Sequence, residues 1–265
     1  AFQYITKEAL GKDEHPDILN ISLDTARYIA ETYGTESMEY EDMLYRLDKD
    51  IEDFLVKLYA QFKHKEQVVV TLSSYHGTSP SYNIKGDAPR ERLNIGQMEV
   101  LVNAFLGAKY GSDRYILGFA NKALYLDHTL INNKRLNLAT IREEVATFLL
   151  QMRGVSSAIS ATALRNTYFG GGRSRLIQQS FQPTRSGDVV IDLLPGWIFE
   201  RDGIRSASDG GYNYDRNVPL MIYRSGKTQS VEREVSISAL APTLAYILGI
   251  ERPWAATETA LYEFR

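Results

Sequence analysis

The chain contains no cysteine and only four histidines among its 265 residues. Without cysteine it can form neither a disulfide bond nor a thiolate metal site. No run approaches 18 apolar residues, so the sequence predicts no membrane-spanning helix. A net charge of -3 offers no basic surface of the kind that binds nucleic acid, so no nucleic-acid partner is expected. The remaining composition, 44% hydrophobic and 24% charged, is typical of a globular protein.

Hydrophobic patterning predicts an α/β fold for the first part of the chain. The β-branched run Ile18–Leu23 and the apolar run Val68–Leu72 are each typical of a buried strand. Between them, Thr25–Tyr33 and Glu36–Phe62 have helical periodicity, and Gly34 suits the end of the first helix. Strand, helix and strand in this order favour a βαβ unit with parallel pairing. We therefore expect a mostly parallel sheet sandwiched by helices.

An inserted α+β subdomain is expected in the middle of the chain. The predicted organisation is 1–92 for the first βαβ part, 93–185 for the insertion and 186–265 for the return to the main domain. The elements predicted from residue 93 onwards are helices over Met98–Tyr110, Leu138–Met152 and a C-terminal stretch ended by Gly249, a hairpin of Tyr115–Phe119 and Ala123–Leu126, and strands over Val155–Ile159, Asp188–Leu194 and Val218–Tyr223.

Five segments carry a resemblance to a known family. PDILNISLDTARYIAETYG at Pro16–Gly34, QVVVTLSSYHG at Gln67–Gly77 and SDGGYNYDRNVPLMIY at Ser208–Tyr223 resemble SFSSTDYVGHRFG, TADHG and STHGSGxNYDTHVPLLF. SGDVVIDLLPGW at Ser186–Trp197 and ALAPTLAYILGI at Ala239–Ile250 resemble SGDVVYVLEPAY and DIAPTLAALLGI. These are segments of the alkaline phosphatase superfamily, in its type I phosphodiesterase and nucleotide pyrophosphatase branch. Five such segments in register make the resemblance specific.

The resemblance implies an alkaline-phosphatase-like fold and a site for two zinc ions. One zinc ion activates the attacking oxygen and the other stabilises the leaving oxygen. The family's upstream half supplies an aspartate ligand, the nucleophile and substrate contacts, so the chain resembles the C-terminal part of a longer protein. The resemblance also implies a periplasmic or secreted location.

Most of the family's metal ligands are replaced in this sequence. The five aligned ligand positions hold Arg27, Glu31, Tyr75, His76 and Ser208. Only His76 retains a ligand of the family, and one imidazole does not make a site. Asp209, beside Ser208, is a weak alternative ligand, as is Glu31, so a single-metal site of His76, Glu31 and Asp209 stays open. No catalytic residue and no bound cofactor are predicted, although zinc is the metal of the family.

Two interpretations of Arg27 stay open. A guanidinium cannot ligate zinc, and it places a positive charge where the relatives hold a dication. Arg27 and Glu31 are spaced i, i+4, so Arg27 could fill the metal pocket and bind anions while Glu31 neutralises it. The alternative is a solvated ion pair on the helix surface.

Two functions follow, and the sequence leaves the question of enzymatic activity open. The first is a degenerate, non-hydrolysing module that binds a phosphate- or sulfate-bearing small molecule or a protein partner. The second is a metal-dependent phosphomonoesterase or phosphodiesterase that an absent N-terminal half completes.

Overall fold

The computed structural model describes residues 1–80, 92–224 and 233–262. The α-helices in these residues are α1 Phe2–Lys7, α2 Thr25–Tyr33, α3 Met38–Tyr59, α4 Ile95–Tyr110, α5 His128–Asn133, α6 Leu138–Leu149, α7 Ala161–Asn166, α8 Gly172–Ser180, α9 Asn213–Arg216 and α10 Leu240–Leu248. The strands are β1 Val69–Ser73, β2 Arg92–Leu93, β3 Ile116–Ala120, β4 Ala123–Leu126, β5 Val155–Ser160, β6 Val189–Leu193, β7 Ile198–Phe199 and β8 Leu220–Arg224.

The chain forms two compact units. The first unit comprises Ala1–Arg27, Glu41–His76 and the described residues of Asn217–Arg265. The second unit comprises Tyr28–Tyr40 and Gly77–Arg216, again as far as these residues are described. The domain bounds predicted from the sequence stay a prediction. Strand β6, which lies past residue 185, pairs with β4 and β5.

A four-stranded antiparallel sheet in the order β3-β4-β6-β5 forms the centre of the second unit. The β3–β4 hairpin closes through Asn121 and Lys122, whose φ angles of 49° and 64° are both positive. Positive φ at both central residues is the geometry of a type I′ turn, whose twist matches that of the flanking strands. The hairpin predicted from the sequence is therefore confirmed.

Two helices cover this sheet with matching apolar stripes. Met98, Val102 and Leu106 on α4 are buried at intervals of four residues, as are Ile141, Val145 and Leu149 on α6. Phe105 of α4 stacks on Phe148 of α6 with ring centroids 4.5 Å apart. Each helix begins at an asparagine, Asn94 or Asn137, whose side chain accepts a hydrogen bond from a first-turn amide. The second unit thus has its own hydrophobic core.

The first unit contains a two-stranded sheet in which β1 and β8 run antiparallel. Tyr59 of α3 packs against Tyr223 of β8, with ring centroids 6.2 Å apart. Near the C-terminus, the buried Thr243 hydroxyl donates to the Ala239 carbonyl and accepts from the Leu261 amide. This bond fixes the segment after α10 against the helix. The helix ends at Gly249, as predicted, with φ 68°.

Strand pairing differs from the sequence prediction. Among the strands in the described residues only β2 and β7 pair in parallel, and the other pairs are antiparallel. The segment Ile18–Leu23 forms no strand, and Ile18 is 64% exposed. The predicted βαβ unit is therefore absent from these residues. The reason is physical: a β-branched run has the propensity for a strand, but only a partner strand can satisfy its backbone groups.

Most other predicted elements match their positions in the structure within a few residues. Helix α8, which begins at Gly172, is not among the predicted elements. None of the helices in the described residues is long and apolar enough to cross a membrane.

Candidate functional site

Helix α2 carries the first two of the replaced ligand positions. Arg27 and Glu31 lie one turn apart on this helix, and both are half-buried. The helix ends at Gly34, whose φ of 97° is strained for any other residue type. The half-burial of Arg27 is compatible with the pocket-filling interpretation, and its neutralisation by Glu31 stays a prediction.

Backbone hydrogen bonds join Glu31 to the loop that leads into the segment Ser208–Tyr223. The Glu31 carbonyl accepts from the Arg205 amide at 2.6 Å and from the Ser206 amide at 3.4 Å. The main chain of Glu31 is therefore held beside Ser206, which lies two residues before Ser208 in the sequence. The sequence gives no signal for this contact, because it joins main-chain atoms more than 170 residues apart in the chain.

A cluster of small hydroxyl residues anchors the same loop to Thr78 and Ser79, which follow the segment Gln67–Gly77. The buried Ser206 hydroxyl lies 2.8 Å from the Thr78 hydroxyl and also bonds the Ser79 carbonyl. The Ser79 amide donates to the Ala207 carbonyl at 3.1 Å, and the Ser79 hydroxyl accepts from the Ala207 amide at 3.2 Å. These bonds fix the path of the loop on both sides of Ser206.

Gly77, the residue after His76, is required by close backbone packing. Its amide donates to the Asp215 carbonyl at 2.8 Å. A Cβ at this position would lie 2.1 Å from the Tyr214 carbonyl oxygen, so no side chain fits. The glycine of the His-Gly motif therefore has a packing role that is independent of metal binding.

Tyr75 and His76 lie just past the end of β1. Tyr75 is 72% exposed, and its ring meets the His76 ring edge-on with centroids 4.4 Å apart. The Ser74 hydroxyl donates to the His76 carbonyl at 2.7 Å. This bond holds the main chain of His76 at the end of the strand.

Asp209, the weak alternative ligand, is occupied by protein partners. Its buried carboxylate accepts from the Phe199 amide at 3.0 Å and forms an ion pair with Arg201. Both bonds use the same oxygen, Oδ2. Ser208, beside it, is half-buried. Asp209 is therefore a structural anchor between β7 and the loop, and a metal would compete with Arg201 for it.

Asp215 is a buried acid that the sequence prediction missed. It is only 4% exposed, and within the described residues neither carboxylate oxygen has a hydrogen-bond partner of acceptable geometry. Burial raises the pKa of Asp215, while Lys122, the nearby Ser208 hydroxyl and the Tyr212 amide oppose the rise. The Asp in NYDTHVPLLF of the quoted family pattern marks this position, but its burial cannot be read from one sequence.

The two-zinc chemistry that the resemblance implies does not fit the side chains present. Arginine has no lone pair for a metal, the phenol of tyrosine is protonated near neutral pH, and serine is not a usual zinc ligand. In the part of the chain that the structure describes, no three side chains of His, Cys, Asp or Glu come together as a metal site.

Comparisons with known proteins agree with the motifs. The family model described as type I phosphodiesterase / nucleotide pyrophosphatase matches residues 1–213. The chain is 25% identical to alkaline phosphatase PafA of Elizabethkingia meningoseptica over 256 residues, which is 96% of this chain and 47% of that protein. It is 26% identical to alkaline phosphatase PhoV of Synechococcus elongatus over 254 residues, which is 94% of this chain and 45% of that protein.

The fold agrees as well. The crystal structure of wild-type PafA superposes with a TM-score of 0.85 at 26% identity, covering 99% of this chain and 50% of the PafA chain. This similarity confirms the predicted α/β class. The chain spans about half the length of the curated relatives it matches.

Proposed function

Because the chain belongs to the type I phosphodiesterase / nucleotide pyrophosphatase family, we propose that it is a degenerate member of that family that binds its ligand without hydrolysing it. The observation that carries this proposal is the identity of the side chains at the aligned ligand positions. Arg27 stands where the family places an aspartate, and a permanent cation there repels a zinc ion.

The proposed ligand of Arg27 is an anion. A guanidinium presents paired N–H donors that match the oxygens of phosphate or sulfate. Arg27 is half-buried on α2, so its charge is partly shielded from water and its attraction to an anion is stronger than that of a solvated arginine. A phosphate- or sulfate-bearing small molecule is the preferred partner, and a protein partner is the alternative. The periplasmic or secreted location stays a proposal that is supported by the family resemblance.

Zinc content is the first test. The purified chain is dialysed against micromolar zinc and then against metal-free buffer, and its zinc is measured by elemental analysis. We expect no retained zinc and no hydrolysis of p-nitrophenyl phosphate or bis-p-nitrophenyl phosphate. Two retained equivalents would contradict the proposal and would return the metal-dependent hydrolase to consideration.

A ligand-restored variant is the matched control. Arg27→Asp, Glu31→His and Ser208→His together return three family ligands, and three protein ligands with a water suffice for a catalytic-type zinc site. We expect about one equivalent of zinc in this variant and none in the parent. Equal zinc content in both proteins would show that the replaced positions do not decide metal binding.

A further inference from the structure

A cavity in the second unit is lined by arginine and tyrosine side chains and by none of the metal-ligand positions. It has a volume of ≈ 580 Å³ and lies between the first turn of α8 and the segment that enters α9. Its polar lining comes mainly from Arg173, Arg175, Tyr212, Tyr214 and Arg216. All of these residues belong to the same unit, so the cavity is a feature of one compact body.

Arg173 is fixed as part of the cavity wall. Its Nε donates to the buried Asp192 carboxylate at 2.6 Å, and a second nitrogen donates to the Ser156 hydroxyl at 3.3 Å. Its guanidinium lies 4.0 Å from the centroid of the Tyr212 ring. These contacts hold the Arg173 side chain in place. Because Asp192 neutralises its charge, Arg173 attracts an anionic ligand only weakly.

Arg175 and Arg216 have no such compensation. Neither forms an ion pair with any of the residues that the structure describes. Arg175 lies over the exposed Tyr168 ring at 5.1 Å and donates to the Gln178 side chain at 3.4 Å, both neutral groups. Two uncompensated guanidinium groups therefore line one cavity.

The placement of the arginines on α8 adds to this excess of positive charge. The first turn of α8 contains Arg173 and Arg175 and no acidic residue, and its N-cap, Gly171, supplies no side-chain acceptor. The N-terminus of a helix carries a partial positive charge, so cations in the first turn are unfavourable unless an anion is nearby. Asp192 offsets this unfavourable interaction for Arg173 but not for Arg175.

Another part of the lining is aromatic. Tyr212 and Tyr214 stack with centroids 5.6 Å apart and an interplanar angle of 25°. The Tyr212 hydroxyl donates to the Leu193 carbonyl at 2.9 Å, and the Tyr214 oxygen accepts from the Gly196 amide at 3.0 Å. The rings are thus held from β6 and the turn after it, and they offer a rigid apolar surface beside the arginines.

We propose that this cavity binds a small molecule that carries a tetrahedral oxyanion, phosphate or sulfate, with Arg175 and Arg216 holding the anion and the tyrosine wall contacting the organic part. Arg27 is not among the residues that line this cavity, so the inference does not depend on the chemistry of the metal positions. Two uncompensated arginines, a helix N-terminus without an acceptor and an aromatic wall all favour the same class of ligand.

Binding of defined probes by the full 265-residue chain tests the proposal. Phenyl phosphate, phenyl sulfate, inorganic phosphate and the uncharged benzyl alcohol are titrated by calorimetry at fixed ionic strength. We expect saturable binding of phenyl phosphate or phenyl sulfate that is sensitive to the cavity arginines, and no binding of benzyl alcohol. Comparison of the two esters with inorganic phosphate shows which form of the oxyanion the cavity takes. Absence of saturable binding by all three anions overturns the proposal.

Matched variants assign the binding to the cavity. Arg216→Gln and Arg175→Gln should each weaken the anion by about tenfold or more, since each removes charge-assisted hydrogen bonds. Arg185→Gln makes the same charge change on an exposed residue outside the cavity lining, and Arg27→Gln does so at the α2 position. Arg185→Gln should leave the affinity within about twofold, whereas Arg27→Gln should leave the cavity site unchanged and remove only binding at α2.

An equal loss in Arg185→Gln would show unspecific attraction and overturn the cavity site. A loss confined to Arg27→Gln would assign the anion to α2, which supports the proposed function and overturns this inference. Far-UV circular dichroism confirms that each variant is folded. If one cavity variant does not fold, the other decides the result.

Discussion

We expect the Asp188 carboxylate to contribute strongly to the stability of the second unit. This buried carboxylate, at the start of β6, accepts hydrogen bonds from the Arg142 guanidinium at 2.7 Å, the Leu126 amide at 2.7 Å and the His128 ring at 2.8 Å. The side chains of Asp188 and Arg142 are only 5% and 12% exposed. One carboxylate thus joins β4, α5 and α6 to the central strand.

Replacing Asp188 with asparagine keeps the shape and removes the charge. The variant leaves Arg142 as a buried cation without its partner, and breaking a buried ion pair from one side costs about 3–5 kcal/mol. The Leu126 amide can still donate to the asparagine oxygen. We therefore expect the loss of stability to come from the unpaired Arg142 guanidinium and not from the Leu126 hydrogen bond. Arg142→Met combined with Asp188→Leu removes both charges, and we expect it to be less destabilised than the sum of the two single changes.

Urea denaturation followed by tryptophan fluorescence measures this loss. Trp197 is buried in the core of the second unit, whereas Trp254 is fully exposed, so the fluorescence change reports mainly on the second unit. Asp42→Asn is the control, because Asp42 forms its ion pair with Arg46 on an exposed helix surface, and it should leave the midpoint unchanged. A loss below about 1 kcal/mol for Asp188→Asn would refute the view that this carboxylate is a principal tie of the sheet.

Two further changes test other parts of the second unit. Burial raises the pKa of Asp215 above its ordinary value of 3.8, so its folded state holds the proton more tightly than the unfolded chain does. The stability that this group contributes is complete below about pH 3.8 and is lost as the pH rises through the raised pKa of the folded state. Asp215→Asn should therefore be more stable than the parent at pH 7 and equally stable in acid. Denaturation across this pH range measures the difference, and a variant that is less stable than the parent at pH 7 contradicts the prediction. Gly154→Ala places a Cβ 2.1 Å from the Trp197 ring at a φ of 92°, so it should cost roughly 2–4 kcal/mol in the same fluorescence assay. Gly118→Ala, whose Cβ would meet nothing within 4 Å, is its control, and equal effects of the two changes would contradict the steric argument.

Local elements could be predicted from the sequence because their signals are local. The predicted bounds of α2, Thr25–Tyr33, agree with the structure, since an amphipathic stretch ends there at Gly34. The hairpin of β3 and β4 was predicted for a similar reason, since the two apolar runs lie only a short turn apart. Both signals lie within about ten residues of the feature that they predict.

Pairing and burial could not be predicted in this way. The strand predicted over Ile18–Leu23 is wrong because strand formation needs a partner that the run itself does not specify. β1 instead pairs antiparallel with β8, more than 140 residues later. Asp215 was missed because its importance comes from burial without a hydrogen-bond partner, and that depends on how Gly77 and Gly210 pack around it. The family motif marked the positions, but only the fold gives their environments.

The structure also explains how the ligand positions could change without loss of the fold. Arg27, Glu31, His76 and Ser208 are half-buried and Tyr75 is exposed, and Glu31 and Ser208, the two positions in the second unit, are not part of its apolar cluster. That cluster is built from α4, α6 and the central sheet, and the Asp188 and Asp209 ion pairs lie outside the five positions. A metal that stabilises a fold must be replaced by other interactions when its ligands are lost, whereas here the core and its ties contain none of those ligands. We therefore expect substitutions at these five positions to cost little stability.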